Sequence, residues 1–293
     1  MNLSIVIVSY KSDHLMEKLI SSCPDYFEII VIENSLNKDL KLKLENKFKN
    51  VHVYIPKENL GYGSAINFGI KQSKNNFVFC MTPDVEINKN CYDGILKLIK
   101  SFKNFSILAP TYIDESIHKN YMIPQNPKNK NINIENYNLI EVSEIDGAAF
   151  IVNKSNVENN KIMDENIFLY FESSDMCMNL VKQGKKLFVI ENLKFNHFGT
   201  QSSHPDLKNH IKVNRAWHFC WSKFYLWRKH RGYLFGIRKT MPNFIRAIKM
   251  CLFYAFKKDK ENLKIHRAEL SGLLSSYFFR KSYFRPMHTK EKN

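Results

Sequence analysis

A chain of 293 residues, 44% hydrophobic and 25% charged, can bury a sizeable core, which excludes a wholly disordered or fibrous protein and leaves one large globular domain or two small ones. Its net charge of +16 is unevenly spread: residues 1–204 hold 23 lysines and no arginine against 23 acids, while residues 205–293 hold 21 lysines and arginines against 5 acids. A neutral body with a basic tail points to an anionic partner for the tail.

The six cysteines show no CxxC pair and no zinc spacing, so reduced thiols are expected in place of a disulfide framework. The opening run Leu3–Val8 is too short for a signal-peptide core. Phe244–Phe256 contains Arg246 and Lys249 and is too short and too charged to span a bilayer. The expectation is a cytoplasmic protein.

Leu-Ser-Ile-Val-Ile-Val at 3–8 predicts a strand buried on both faces, followed by a helix with Asp13 as N-cap and Leu15, Leu19 and Ile20 on one face. Glu28–Ile32, Val51–Ile55 and Asn76–Met81 predict further strands, separated by helices over Lys38–Phe48 and Gly63–Gln72. This alternation predicts an α/β fold, a mainly parallel Rossmann-like sheet flanked by helices. Ligands of such sheets lie beyond the carboxyl ends of the strands. That rule selects Ser9 and Tyr10, Glu33 and Asn34, Asn59, and Asp84. Next, Ile107–Ala109, Tyr121–Pro124, Leu139–Val142 and Ala148–Val152 predict short strands that make the sheet mixed, with residues 126–138 as a surface loop. Met176–Val181 predicts a helix and Leu187–Val189 another short strand. From about Asn209 to Phe284 the chain reads as helical and basic, with breaks at Gly232, Gly236 and Pro242. The expected domains are 1–204, catalytic, and 205–293, a helical tail.

Four segments carry chemistry. In Thr82-Pro83-Asp84-Val85 the carboxylate stands just past a buried strand, where it either caps a turn or holds a divalent cation. Glu172 and Asp175, three residues apart at a helix start, share a helix face: one suits a general base, and the other an orienting group or a favourable charge at the helix N-terminus. His197 opens a polar loop after a strand, as a structural residue or as a neutral imidazole ligand. Gly61-Tyr62-Gly63, leading into a helix, can offer backbone N–H groups to a phosphate, although the third glycine of the dinucleotide fingerprint is missing.

In order and spacing, Ile-Val-Ile-Val-Ser-Tyr (5–10), Val-Ile-Glu-Asn-Ser (31–35), Asn-Leu-Gly-Tyr-Gly-Ser-Ala-Ile-Asn-Phe-Gly (59–69), Thr-Pro-Asp-Val (82–85), Asp-Gly-Ala-Ala-Phe (146–150), Phe-Leu-Tyr-Phe-Glu-Ser-Ser-Asp (168–175) and His-Phe-Gly-Thr-Gln-Ser (197–202) resemble the family 2 glycosyltransferases, in particular their bacterial rhamnosyltransferase-like branch. The resemblance runs from residue 3 to about residue 235. It implies a GT-A fold that transfers a sugar from a nucleotide-diphosphate donor to a glycan or polyprenyl-linked acceptor in surface polysaccharide synthesis. It implies a donor site of Ser9, Tyr10, Glu33, Asn59, Gly61, Asn67 and Asp84, with Asp84 and His197 on Mg²⁺ or Mn²⁺. In inverting members a carboxylate of the segment around Glu172 and Asp175 deprotonates the acceptor, and Glu172 is the preferred base. This chain departs from the family in carrying Glu33 for the usual Asp, Asp84 without the preceding acid, and Ser173 for the second acid of the pair.

The tail alternates rings and cations from Trp217 to Arg231 and again over Phe244–Lys258. That mixture suits an anionic membrane surface, with rings at headgroup depth, or else a helix packed on the protein body with a solvated basic face. Nucleic acid is not expected, because no recognition fold surrounds the patch. The expected location is therefore peripheral, on the inner face of the plasma membrane. Two other readings of the whole chain are a nucleotidyltransferase-like enzyme and, motivated by Ser173, a catalytically lapsed membrane scaffold.

Overall fold

A computed structural model of the chain describes residues 3–115, 119–124, 131–199 and 208–285. It divides into two compact units, Met1–Asp164 with Glu172–His204, and Glu165–Phe171 with Pro205–Asn293. Segment 165–171, grouped by sequence with the catalytic part, thus packs with the basic helices.

The first unit runs β1 (Leu3–Ser9), α1 (Asp13–Ser22), β2 (Glu28–Glu33), α2 (Lys38–Lys47), β3 (Val51–Tyr54), α3 (Tyr62–Gln72), β4 (Phe77–Met81), β5 (Val85–Glu86), α4 (Lys89–Ser101), β6 (Ile107–Tyr112), β7 (Tyr121–Met122), β8 (Asn131–Ile134), β9 (Tyr137–Glu141), β10 (Glu144–Ile145), β11 (Ala149–Asn153), α5 (Glu172–Lys182) and β12 (Leu187–His197). The main sheet has the order β3-β2-β1-β4-β11-β6-β12-β9-β8. Its first four strands are parallel, β11 runs against them, and β12 is parallel to β6. Alternate residues of β1 serve opposite layers. Ile5 and Ile7 pack with α1, α2 and α4, whereas Val6 and Val8 pack with α3 and α5. Burial on both faces is why the strand reads as one apolar run.

Several expectations need correction. The cap of α1 is Ser12, whose hydroxyl folds back onto Tyr10 O (3.2 Å), and Asp13 is the first helical residue. Helix α4 was not foreseen. Asn88 caps it by accepting from Cys91 N (2.8 Å), and Cys91, Tyr92, Ile95, Leu98 and Ile99 form its buried stripe. Within the expected loop 126–138, the described part forms the hairpin β8–β9, where Ile132 and Ile134 alternate with asparagines and pack on the core. Strand β12 extends to His197, eight residues beyond the expected end, with a bulge between Ile190 and Lys194. All six cysteines are free, as expected.

The second unit holds α6 (Lys208–Arg231), α7 (Tyr233–Phe256) and α8 (Lys260–Tyr277). The chain breaks at Gly232, where φ is +89°, but α7 runs unbroken through Gly236 and Pro242. Pro242 removes one N–H from the helix ladder. The turn before it is held locally by Thr240 Oγ1 donating to Gly236 O (2.8 Å) and across to α8 by its contact with the Tyr277 hydroxyl at 2.9 Å. Trp217, Cys220, Trp221 and Phe224 of α6 are buried, packed with Ala268, Leu273 and Tyr277 of α8. The rings read as a membrane contact at Trp217–Arg231 are therefore largely this unit's own core. Among the described residues, no helix is long and apolar enough to cross a membrane.

Candidate active site

The parallel pairing of β1 with β2 sets Ser9 beside Glu33, and Asn34 N donates to Ser9 O (2.8 Å). Both chains leave the sheet in left-handed backbone, at Lys11 (φ +52°) and Leu36 (φ +64°). Glu33 is fully buried, and its Oε1 accepts from Ser35 N (2.7 Å) and from the Ser35 hydroxyl. Burial pushes its carboxyl above the usual range, against the hydrogen bonds of Ser35 and Ser9. Burial and then the nearby Glu33 charge raise the Tyr10 hydroxyl too. Ser9, Tyr10 and Glu33 thus stand together at the carboxyl ends of β1 and β2, the edge of such a sheet where ligands bind.

The Asn59–Asn67 segment is tied to that edge. Asn34 Nδ2 donates to Gly61 O (3.0 Å) and its Oδ1 accepts from Leu60 N (3.3 Å), while Asn59 Oδ1 accepts from Gly61 N (2.9 Å). Gly61 has φ +79° and ψ 179°, a conformation that a side chain would strain. Asn67, on α3, is engaged with the segment after β11. Its Nδ2 donates to Met163 O (2.9 Å) and its Oδ1 accepts from Ile162 N (3.1 Å) and Met163 N (3.0 Å). It clamps the segment that leads to Glu172.

Strand β5 pairs with the end of β12, setting His197 opposite Val85, and Phe198 N donates to Asp84 O (3.0 Å). This ladder joins Asp84 to His197 across 113 residues of sequence. Asp84 Oδ1 is buried without a hydrogen bond of ordinary geometry and faces His197 Nε2 at 3.5 Å. Burial opposes the Asp84 charge, but contacts with His197 and Thr82 outweigh it and hold the carboxyl below its usual range. Burial likewise opposes protonation of His197, whereas Asp84 and then Asp146 raise its pKa. On the other side of the ring, His197 Nδ1 lies 3.0 Å from the Tyr112 hydroxyl, which donates to Asp146 Oδ2. Asp84, His197, Tyr112 and Asp146 form one chain of contacts. Tyr112 was missed by the sequence reading and Asp146 was noted only within a motif. A tyrosine at the carboxyl end of a buried strand was the available signal for the former.

Among the described residues no cluster of three or more His, Cys, Asp or Glu side chains could hold a metal ion. Asp84 and His197 nevertheless suit a cation whose remaining ligands come from a substrate or water. A carboxylate oxygen and an imidazole nitrogen are ordinary ligands for Mg²⁺ or Mn²⁺. Their 3.5 Å separation approaches the roughly 3 Å between adjacent ligands bonded at about 2.1 Å to one ion.

Glu172 and Asp175 open α5, both buried. Asp175 is fully enclosed and accepts from Asn179 Nδ2 (3.0 Å). Glu172 lies against α3, so close that a Cβ on Gly63 would stand 3.4 Å from its Cγ and 3.1 Å from Met163 Cβ. A Cβ on Gly147 would similarly stand 3.3 Å from the Tyr62 ring and 3.6 Å from Ser173 Cβ. Tyr62 donates to Gly147 O (2.5 Å) and binds the two segments together. Burial above all, with the nearby Glu172, Asp146 and Asp84 carboxylates, keeps the Tyr62 hydroxyl protonated well above its usual range. The two residues before Glu172, Tyr170 (φ +70°) and Phe171 (φ +67°), are both left-handed, strain worth about 1–3 kcal/mol each of the kind that collects at active sites.

The model of the glycosyl transferase family 2 matches residues 4–160, more than half of the chain and all of the strand-end pocket except its second acidic segment and His197. The chain belongs to glycosyl transferase family 2. The low-salt glycan biosynthesis hexosyltransferase Agl10 of Haloferax volcanii is 27% identical over 188 residues, covering 60% of this chain and 60% of that protein, less than two thirds of its length. The dTDP-rhamnosyl transferase RfbF of Shigella flexneri is 26% identical over 294 residues, covering 93% and 95%. Among solved structures, the mannosyltransferase PcManGT of Pyrobaculum calidifontis, in complex with GDP-Man and Mn²⁺, shares 8% identity at a TM-score of 0.56 over 96% of this chain and 88% of that one. TarS 1–349 of S. aureus, in complex with UDP-GlcNAc, shares 16% identity at a TM-score of 0.52 over 98% and 95%. At such identities these two show the fold alone, which is GT-A. The family 2 member is an enzyme, a glycosyltransferase, so neither the scaffold nor the nucleotidyltransferase reading stands.

Proposed function

We propose that this family 2 glycosyltransferase is a metal-dependent, inverting hexosyltransferase that uses a nucleotide-diphosphate sugar. Its acceptor is a glycan or lipid-linked glycan, reached on the anionic inner face of the plasma membrane. The observation that carries the catalytic part is the hydrogen bond from Tyr62 to Gly147 O, which ties α3, where Gly63 packs against Glu172, to the turn after Asp146, the end of the Asp84–His197–Tyr112–Asp146 chain of contacts. It supports reading the proposed base and the proposed cation-holding carboxylate as parts of one site.

Ser9, Tyr10 and Glu33 receive the nucleoside at the strand ends, and the turn held by Asn34 and Asn59 forms the adjoining wall. Asp84 and His197 are the residues that would hold a divalent cation, Mg²⁺ or Mn²⁺, and such an ion would supply positive charge to neutralise the leaving diphosphate. Glu172 takes the proton of the acceptor hydroxyl. The oxygen then forms the new bond to the anomeric carbon as the bond to the diphosphate breaks on the opposite face. Asp175, spent on Asn179, orients the start of α5, and the Tyr62–Gly147 bond keeps the acceptor wall against α3.

What supports the membrane part is α7. Leu234, Met241, Ile245, Ile248, Leu252 and Phe256 recur at helical spacing and are exposed, Leu234 by 81% and Phe256 by 90%. The helix carries Arg238, Lys239, Arg246 and Lys249 and no acid. An apolar stripe on a helix with cations and no acid of its own suits an anionic bilayer surface, with Arg246 already paired to Glu269 of α8 at 2.6 Å.

Donor turnover across a panel of nucleotide sugars, with Mn²⁺ or Mg²⁺ and with chelator, tests the enzyme chemistry. Metal-stimulated turnover that Glu172→Gln abolishes is the expected result. Equal turnover under chelation removes the metal dependence, and unchanged turnover in Glu172→Gln removes the base. Flotation with anionic liposomes tests α7, and binding unaffected by Leu252→Glu with Phe256→Glu refutes its role.

A further inference from the structure

His197 has two ring nitrogens, and only one of them carries a hydrogen in the neutral ring. The neighbours decide which. The Tyr112 hydroxyl contacts both Asp146 Oδ2 and His197 Nδ1, the latter at 3.0 Å, but has a single hydrogen to give. A carboxylate can only accept, so that hydrogen goes to Asp146. Asp146 is itself fixed, because its Oδ1 accepts from Ala148 N (3.0 Å) across the Gly147 turn. The tyrosine oxygen therefore meets His197 as an acceptor. The Tyr112 ring also lies nearly parallel to the imidazole (26°, centroids 5.8 Å apart), which fixes the plane of the ring.

We infer that Asp146 and Tyr112 are positioning residues that lock His197 in the Nδ1–H tautomer and so present the Nε2 lone pair to Asp84. Two electron-rich atoms then face each other at 3.5 Å, an arrangement that favours a cation between them. In the opposite tautomer Nε2–H would donate to Asp84, and the pair would satisfy itself. The lock keeps the site open to an ion. The side chain of His197 is 25% exposed, so a ligand can reach it. The role in ion binding rests on the proposed metal site, while the tautomer assignment does not.

Asp146→Asn gives a defined reversal. Ala148 N–H still requires an oxygen, so the amide NH₂ turns to Tyr112, and the tyrosine hydrogen is redirected to His197 Nδ1. The ring must then carry its hydrogen on Nε2. Long-range ¹H–¹⁵N NMR of the metal-free full chain, at a pH where the ring is neutral, reads the tautomer, and a His197→Gln spectrum assigns the signal. The expected results are Nδ1–H in the wild type and Nε2–H in Asp146→Asn. Mn²⁺ affinity, measured calorimetrically with a nucleoside diphosphate present, is expected to fall about 10- to 100-fold in Asp146→Asn and in Tyr112→Phe, as for other groups that orient a metal-binding histidine. A wild-type ring in the Nε2–H form overturns the inference, as does an unchanged tautomer in Asp146→Asn. If the wild type shows the Nδ1–H ring but binds no Mn²⁺, the lock stands and the proposed metal dependence falls.

Discussion

Acid should loosen the helical unit through one histidine. His218 of α6 is fully buried, with Phe168 at 4.7 Å and Trp217 at 4.9 Å between ring centroids. Phe284 O can only accept, so Nε2 donates to it (2.6 Å), and Nδ1 accepts from the Ser282 hydroxyl (3.1 Å). The neutral ring is thereby satisfied. Burial, aided by the Arg285 charge and opposed by Phe284 O, lowers its pKa from 6.5 to about 4. A depressed base binds fewer protons folded than unfolded between those limits, so its contribution is intact above about pH 6.5 and is lost as pH falls toward about 4. At about 1.4 kcal/mol per pH unit, the gap amounts to about 3 kcal/mol. All three tryptophans of the chain lie in α6, so tryptophan fluorescence during urea unfolding reports this unit. The stability difference between wild type and His218→Gln should shrink by about 3 kcal/mol between neutral pH and about pH 4. Parallel pH profiles for the two proteins would refute the reasoning. The same acid range should free segment 165–171, which is held here by Ser222 donating to Leu169 O (2.9 Å) and by Arg285 over the Phe168 ring (3.9 Å), and which leads directly into Glu172.

Glu172→Gln should reduce turnover by about 10²- to 10⁴-fold with nucleotide binding retained, whereas Asp175→Asn should lower the melting temperature first and leave turnover within about tenfold; the reverse pattern would make Asp175 the base. Gly63→Ala should leave stability within about 1 kcal/mol, since improved helix propensity offsets the tight contact. Turnover should still drop about 10- to 100-fold, because Met163 is clamped by Asn67 and the displaced groups belong to the site; a fully active variant would show that the contact is not part of the catalytic geometry. Gly272→Ala sets a Cβ 2.3 Å from Trp217 O and should destabilise the helical unit by about 3 kcal/mol, read as earlier loss of the tryptophan signal.

The strand–helix alternation from β1 to β4 was legible because each element carries its own period: a continuous apolar run for a strand covered on both faces, and a repeat of three or four for a helix. Helix α4 carries the same helical period, at Cys91, Tyr92, Ile95, Leu98 and Ile99, and was legible on the same ground. The hairpin β8–β9 was hidden by its asparagines, whose composition signals a loop although Ile132 and Ile134 alternate as in a strand. The tail's charge was visible, but the division of its aromatic residues between core and surface was not. Trp217, Trp221 and Phe224 become core only because α8 lies against α6, whereas the stripe on α7 stays exposed.

The sequence by itself determined the α/β order of the first unit, the strand-end acids and the helix pairing Glu172 with Asp175, since these depend on neighbours only a few residues apart. Tertiary structure alone decided that Asp84 meets His197, that Tyr112 and Asp146 stand behind that histidine, and that Asn67 bonds to Ile162 and Met163. These meetings depend on which strand ends pair and in what register, a choice made by packing across the whole sheet and carried by no local period.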